Sequence, residues 1–226
     1  MGKVVRKSIQ CYGNDSASAS QILDEVYGFY SGLDIPLITS VVREGYPGTV
    51  SITIDNTVSY FNAMSVSISS GTYLRIGYQG ESSIKACEGR GYGIITICYT
   101  DTMYYLIMQG NGGQCNTFIY EKLDGKKLCG RYFSDSTSTP FRDISAISMR
   151  DLDTNIVYKH GKIIGYDNDP NHIDYLPQDV LIQVSSYSIE DPNFITCTTV
   201  TPNALITFGA YNYYSVGNNT IMKLDN

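Results

Sequence analysis

The run Met103-Tyr104-Tyr105-Leu106-Ile107-Met108 constrains the fold more than any other part of the chain. Read as a strand, it puts Tyr104, Leu106 and Met108 on one face and Met103, Tyr105 and Ile107 on the other. A strand in an antiparallel sheet with one wet face alternates apolar with polar, so this one needs an apolar partner on each side. Two placements satisfy that need: the middle of a layered domain, or a strand with one face in a subunit interface. The run is far too short to cross a bilayer as a helix, and no membrane insertion is expected.

Its neighbours share its character. Residues 93–99, 117–123 and 126–133 are apolar-rich and are separated by Gly110-Asn111-Gly112-Gly113 and Asp124-Gly125. Asp-Gly between apolar runs signals a two-residue hairpin, because both residues tolerate positive φ. Residues 93–133 therefore read as an antiparallel meander. The composition agrees: 20 Tyr and 21 Gly with no Trp favour strands and turns. The expected class is all-β, an antiparallel β-sandwich or jelly-roll-like fold in two β-rich parts, with one N-terminal α-helix.

That helix is marked by Ser18-Ala19-Ser20-Gln21, which reads as a capping box, followed by Ile22, Leu23, Val26, Phe29, Tyr30 and Leu33 at helical spacing. Pro36 bars its continuation. After Pro47-Gly48 the period becomes two, with Tyr60 and Met64 on one face and Phe61 and Ala63 on the other, and Ser70-Gly71 turns the chain toward Leu74, Ile76 and Tyr78. Residues 134–140, polar and closed by Pro140, read as a linker. Beyond it, residues 144–149 read as a strand, 155–158 with 163–166 as a hairpin around His160-Gly161, and 180–188, 195–200, 204–208 and 220–224 as further short strands. The expected organisation is an N-terminal arm and helix over 1–47, a first β-rich domain over 48–134, and a second, acidic one over 140–226.

The chain carries 16 Lys+Arg against 22 Asp+Glu, a formal net charge of −6. Most of that excess lies after residue 140. An overall basic nucleic-acid-binding surface is excluded. No apolar stretch of signal-peptide length follows Arg6 and Lys7, so no cleaved leader is expected. The six cysteines form no CxxC pair and read as buried free thiols.

Candidate chemistry is sparse. Asp151-Leu152-Asp153-Thr154-Asn155 and Asp167-Asn168-Asp169-Pro170-Asn171 space oxygen ligands as a calcium loop does. An EF-hand needs Gly at position six and Glu at twelve, where the first has Ile156 and Lys162 and the second His172 and Gln178. A looser loop through Asp167, Asp169 and Asn171 stays open against a solvated turn. Gly89-Arg90-Gly91-Tyr92-Gly93 leads into a strand, which is not the context of a phosphate-binding loop. Gly13-Asn14-Asp15-Ser16 and Asp169-Pro170-Asn171-His172 resemble fragments of the SGNH-hydrolase pattern, which implies Ser16 as nucleophile and His172 as base. Asn14 interrupts the Gly-Asp-Ser order, and that family is α/β. His160, the other histidine, falls in the expected hairpin turn.

Tyr211, Tyr213 and Tyr214 are the candidate ligand-binding residues, with Tyr211 and Tyr213 on one face of an extended segment. Such rings suit sugars or proteins. No catalytic residue and no cofactor is expected.

An acidic, Tyr/Gly/Ser-rich β-chain with a capped N-terminal helix and a doubly apolar strand is similar to tail-associated and other virion proteins of tailed bacteriophages. The resemblance implies a non-enzymatic structural subunit of a viral particle, assembled in the host cytoplasm. Its partners would be copies of itself, other virion proteins and a host-receptor glycan. It also implies attachment through the N-terminal region with the acidic half outward. The alternatives are a monomeric carbohydrate-binding module and an SGNH-like serine esterase.

Overall fold

The computed structural model describes residues 2–11, 13–65, 72–78, 84–87, 91–110, 115–134, 147–162, 178–184, 187–196, 203–208, 210–216 and 220–224. Within them the chain is all-β apart from one helix, as the sequence indicates. In order it forms β1 (Lys3–Cys11), α1 (Ser16–Ser31), β2 (Ile38–Glu44), β3 (Thr49–Ile54), β4 (Thr57–Ser65), β5 (Thr72–Tyr78) and β6 (Ile84–Cys87). There follow β7 (Gly91–Tyr99), β8 (Met103–Gly110), β9 (Cys115–Leu123), β10 (Lys126–Ser134), β11 (Ser148–Asp151) and β12 (Val157–Lys162). The last strands are β13 (Gln178–Val184), β14 (Tyr187–Thr196), β15 (Leu205–Phe208), β16 (Tyr211–Ser215) and β17 (Thr220–Lys223).

Strands β2 to β6 form a five-stranded antiparallel meander. The other twelve form one sheet in the order β1-β7-β8-β9-β10-β11-β12-β13-β14-β17-β16-β15. Strand β8 lies between β7 and β9 and is buried along almost its whole length. Tyr104, Leu106 and Met108 enter a core built with α1, the small sheet, Ile95, Ile97, Phe118 and Tyr120. Met103, Tyr105 and Ile107 enter a second core with Ile119, Met149, Phe194, Tyr214 and Met222. The far half of the large sheet thus folds back over its own first strands, and Tyr105 meets Phe194 edge-on at 5.8 Å. Both apolar partners that β8 requires come from the same chain.

Helix α1 starts one turn earlier than the capping-box reading places it. Asp15 is the N-cap, and its carboxylate accepts from the Ser18 backbone N–H at 2.8 Å, so Ser18 lies inside the first turn. Ala19, Ile22, Leu23, Val26 and Tyr30 form the buried stripe. Tyr30 reaches Tyr104 through paired hydroxyls at 2.7 Å.

In β4 the buried face is that of Phe61 and Ala63, the same face that Val50, Ile52 and Ile54 present on β3, with Phe61 directly opposite Val50. The turn at Asp55 and Asn56, with φ of 44° and 69°, sets this register. The expected turn at His160-Gly161 is corrected: both residues lie inside β12, paired with Ile182 and Leu181 of β13. The pairing of β12 on both edges, with β11 and β13, overrides the local turn signal. The expected linker, apart from Ser134 at the end of β10, lies outside the described residues.

Pairing crosses the expected boundaries. Strand β1 runs against β7 over nine residues, and β2 pairs β3 across position 47. The first 47 residues therefore contribute strands to both sheets. Arg43 fastens α1 to the β2–β3 turn, donating to Asp24 and Ser20 on the helix and to the carbonyls of Glu44 and Gly45. Gly48 closes that turn at φ +78°, where a Cβ would stand 1.7 Å from the Glu44 carbonyl oxygen. Gly48→Ala will cost about 2 kcal/mol or more, because strain at positive φ adds to the clash. Gly28, on the exposed side of α1 with nothing within 4 Å of its would-be Cβ, is the control. Gly28→Ala will stabilise by about 0.5–1 kcal/mol. Urea melts of the two variants measure both signs.

Candidate docking interface

The end of the large sheet is made by residues of unusual composition for this chain. From residue 192 to residue 222 there is no Asp, Glu, Lys or Arg, although the whole chain carries a net charge of −6. Within this stretch β17 pairs β14 and β16, β16 pairs β15, and β15 ends the sheet. The two ends of the small sheet differ, since β2 carries Arg43 and Glu44 and β6 carries Lys85. Charge on an edge strand discourages pairing with another chain. Strand β15 has no such charge, and its first residue, Leu205, is 73% exposed.

The register distributes the three candidate tyrosines between two faces. Tyr214 lies opposite Leu205 and points inward into the second core, 5% exposed. Its hydroxyl donates to the Asn203 side-chain carbonyl. Burial and the neighbouring Cys98 push its pKa up to about 12. Tyr211 and Tyr213 share the other face, as alternation requires. Tyr213 is buried, and Tyr211 is 43% exposed with the Lys223 ammonium 3.4 Å from its ring centroid. Of the three rings, only Tyr211 offers a face to solvent, and Lys223 covers part of it.

Beside this hairpin the sheet comes back toward its start. Gly2 bridges Leu224 and donates its N–H to the Lys223 carbonyl at 3.0 Å. A Cβ on Gly2 would sit 2.8 Å from that same oxygen, so this approach requires glycine. Past the bridge, β1 and β15 diverge around a groove of about 640 Å³ lined by Val4, Arg6, Tyr99, Leu205, Tyr214 and Leu224, among others. The arrangement leaves an uncharged strand edge, an exposed leucine and a groove that also carries Lys3 and Arg6 from β1 at one place.

The acidic motifs play other parts. Asp151 closes its own turn, accepting from the Asp153 N–H at 3.0 Å and the Thr154 hydroxyl at 2.7 Å. Burial raises its pKa, but those hydrogen bonds outweigh burial and hold the carboxyl below its usual range. Asp15 caps α1 and Ser16 opens it, which is the structural role of that part of the Gly-Asn-Asp-Ser segment. Asp167, Asp169, Asn171 and His172 lie outside the described residues. Among the described residues no three His, Cys, Asp or Glu side chains gather where they could hold a metal ion. Cys98 and Cys115 are buried free thiols, burial pushes Cys115 up to about 12, and Cys11 and Cys129 are buried as well. No described helix is long and apolar enough to cross a membrane.

No family model matches the chain, and no curated protein matches its sequence.

Proposed function

We propose that the chain is a non-enzymatic structural subunit of a viral particle, in line with its resemblance to tail-associated proteins, and that it self-associates through the edge of β15 that no other described strand pairs. The supporting observation is the absence of charge over residues 192–222, a stretch that includes β15, whose Leu205 is 73% exposed. Two copies with net charge −6 repel at most approaches, and this edge is where they can meet without placing like charges together. Antiparallel pairing of β15 with the same strand of a second copy is twofold and closed, and it joins two twelve-stranded sheets. Assembly with other virion proteins in the host cytoplasm belongs to the same proposal.

The doubly apolar strand β8 does not support association, because both of its faces are buried within one chain. A Tyr211–Tyr213 sugar platform is weakened by the burial of Tyr213. Leu205→Lys is the test. Sedimentation velocity will show a wild-type species heavier than one chain and a variant reduced to a single chain, with unchanged melting. A wild-type protein that sediments as one chain throughout, or a variant that still associates, overturns the edge model.

A further inference from the structure

A second groove, of about 590 Å³, lies between the β3–β4 turn and one face of β10 and β11. Its composition runs against the acidity of the chain. Lys127, Cys129 and Arg131 alternate along β10 and so point to one side, and Arg150 of β11 stands directly across from Cys129. Cross-strand neighbours of this kind have Cβ atoms about 4.5–5.5 Å apart, so Arg150 lies between the two β10 cations. Arg150 is exposed and has no acidic partner among the described residues.

The opposite wall is held in place. The Asp55 carboxylate accepts from the Tyr120 hydroxyl at 2.5 Å and pairs with the Lys122 ammonium at 3.0 Å, and the Asp55 N–H donates to the Leu37 carbonyl. Asp55 is thereby occupied, and Asn56 at the tip of the turn stands exposed over the groove. Asp153, Asn155 and Ser148 complete the rim. Among the described residues no aromatic ring lines the groove, and none of them offers a stacking surface for a base or a neutral sugar face. It offers the Arg150 guanidinium fork for an anion, with amides, a hydroxyl and one carboxylate for ligand hydroxyls.

We propose that this groove binds an acidic saccharide, a hydroxyl-rich ring bearing a carboxylate, with Arg150 on the acid group and Asn56, Asn155 and Asp153 on the hydroxyls. The site shares no strand with the β15 edge, so either proposal can fail alone. The probes are a uronate trisaccharide, a neutral glucose trisaccharide and free sulfate, titrated calorimetrically against the wild-type chain and Arg150→Gln, an exposed position where folding is not at risk. The uronate should bind, bind less tightly as salt is raised, and lose about tenfold in affinity in the variant, while the neutral sugar shows no heat. Equal binding of the neutral sugar overturns the inference, as does free sulfate binding as tightly as the uronate. So does an undiminished Arg150→Gln, or no binding of any probe.

Discussion

Leu106→Ala and Ile107→Ala will each destabilise the chain by about 2–5 kcal/mol, the range for truncating a large aliphatic side chain in a packed core. The two residues are adjacent and point in opposite directions. Leu106 is 0% exposed beside Ile97 and Phe118 in the core under α1, and Ile107 is 1% exposed in the core closed by Phe194 and Met222. In an ordinary half-buried strand one of two neighbours is cheap to truncate. Here neither is, and because both cores are intramolecular, the loss will not depend on protein concentration. Urea denaturation at two concentrations a hundredfold apart measures this. Ile156→Ala, at a side chain 47% exposed, is the control and will shift stability by a few tenths of a kcal/mol. If Ile107→Ala were harmless in dilute solution and costly only when concentrated, that face of β8 would belong to an interface after all.

The second large effect concerns the buried Tyr30–Tyr104 hydroxyl pair, which ties α1 to β8. Tyr30→Phe will leave the Tyr104 hydroxyl without its partner in a dry core, at a cost of about 1–3 kcal/mol. The double change Tyr30→Phe/Tyr104→Phe removes both polar groups and will recover most of that loss, so the two substitutions are strongly non-additive. Their pH dependence follows from the same burial. Desolvation raises both pKa values above the ordinary tyrosine value of 10. Below pH 10 both folded and unfolded chains keep these protons and the contribution to stability is intact. As pH rises above 10 the unfolded chain releases protons that the folded chain retains, and stability falls. Tyr214, raised to about 12, adds to the fall over 10–12, and Cys115, raised from 9 to about 12, starts it near pH 9. Chemical denaturation from pH 8 to pH 11 will show the decline, with a shallower slope in the double Phe variant.

The meander from residue 93 to residue 133 was legible because its turn residues and its apolar runs agree. Asp124 and Gly125 take the positive φ values that the hairpin reading requires, and β8 to β10 begin or end within two residues of the expected limits. Strand β1 was not legible. Lys3, Arg6 and Lys7 break its apolar alternation, and it is held by nine residues of pairing with β7, contacts far away in sequence. The β2–β3 hairpin was hidden for a similar reason, since β2 has no fully buried residue and packs α1 partly through Arg43. Glu121 is a sharper case: completely buried in β9, its carboxylate accepts from the Asn193 amide at 2.6 Å, and the Asn193 carbonyl in turn accepts from Thr100. One oxygen of this carboxylate is held by a residue 72 positions away, which no local pattern reveals. The docking edge was half legible. The tyrosines drew attention to residues 211–214, but their burial depends on which face the pairing of Leu205 with Tyr214 turns inward.

If copies of this chain pair through the edge of β15, amide hydrogen exchange measured across protein concentration will register it. The backbone N–H groups of Leu205–Phe208 should gain protection as concentration rises, while those of the equally terminal but charged β2 stay unchanged. Exchange at β15 that is fast and independent of concentration, or protection that grows at β2 instead, would contradict it.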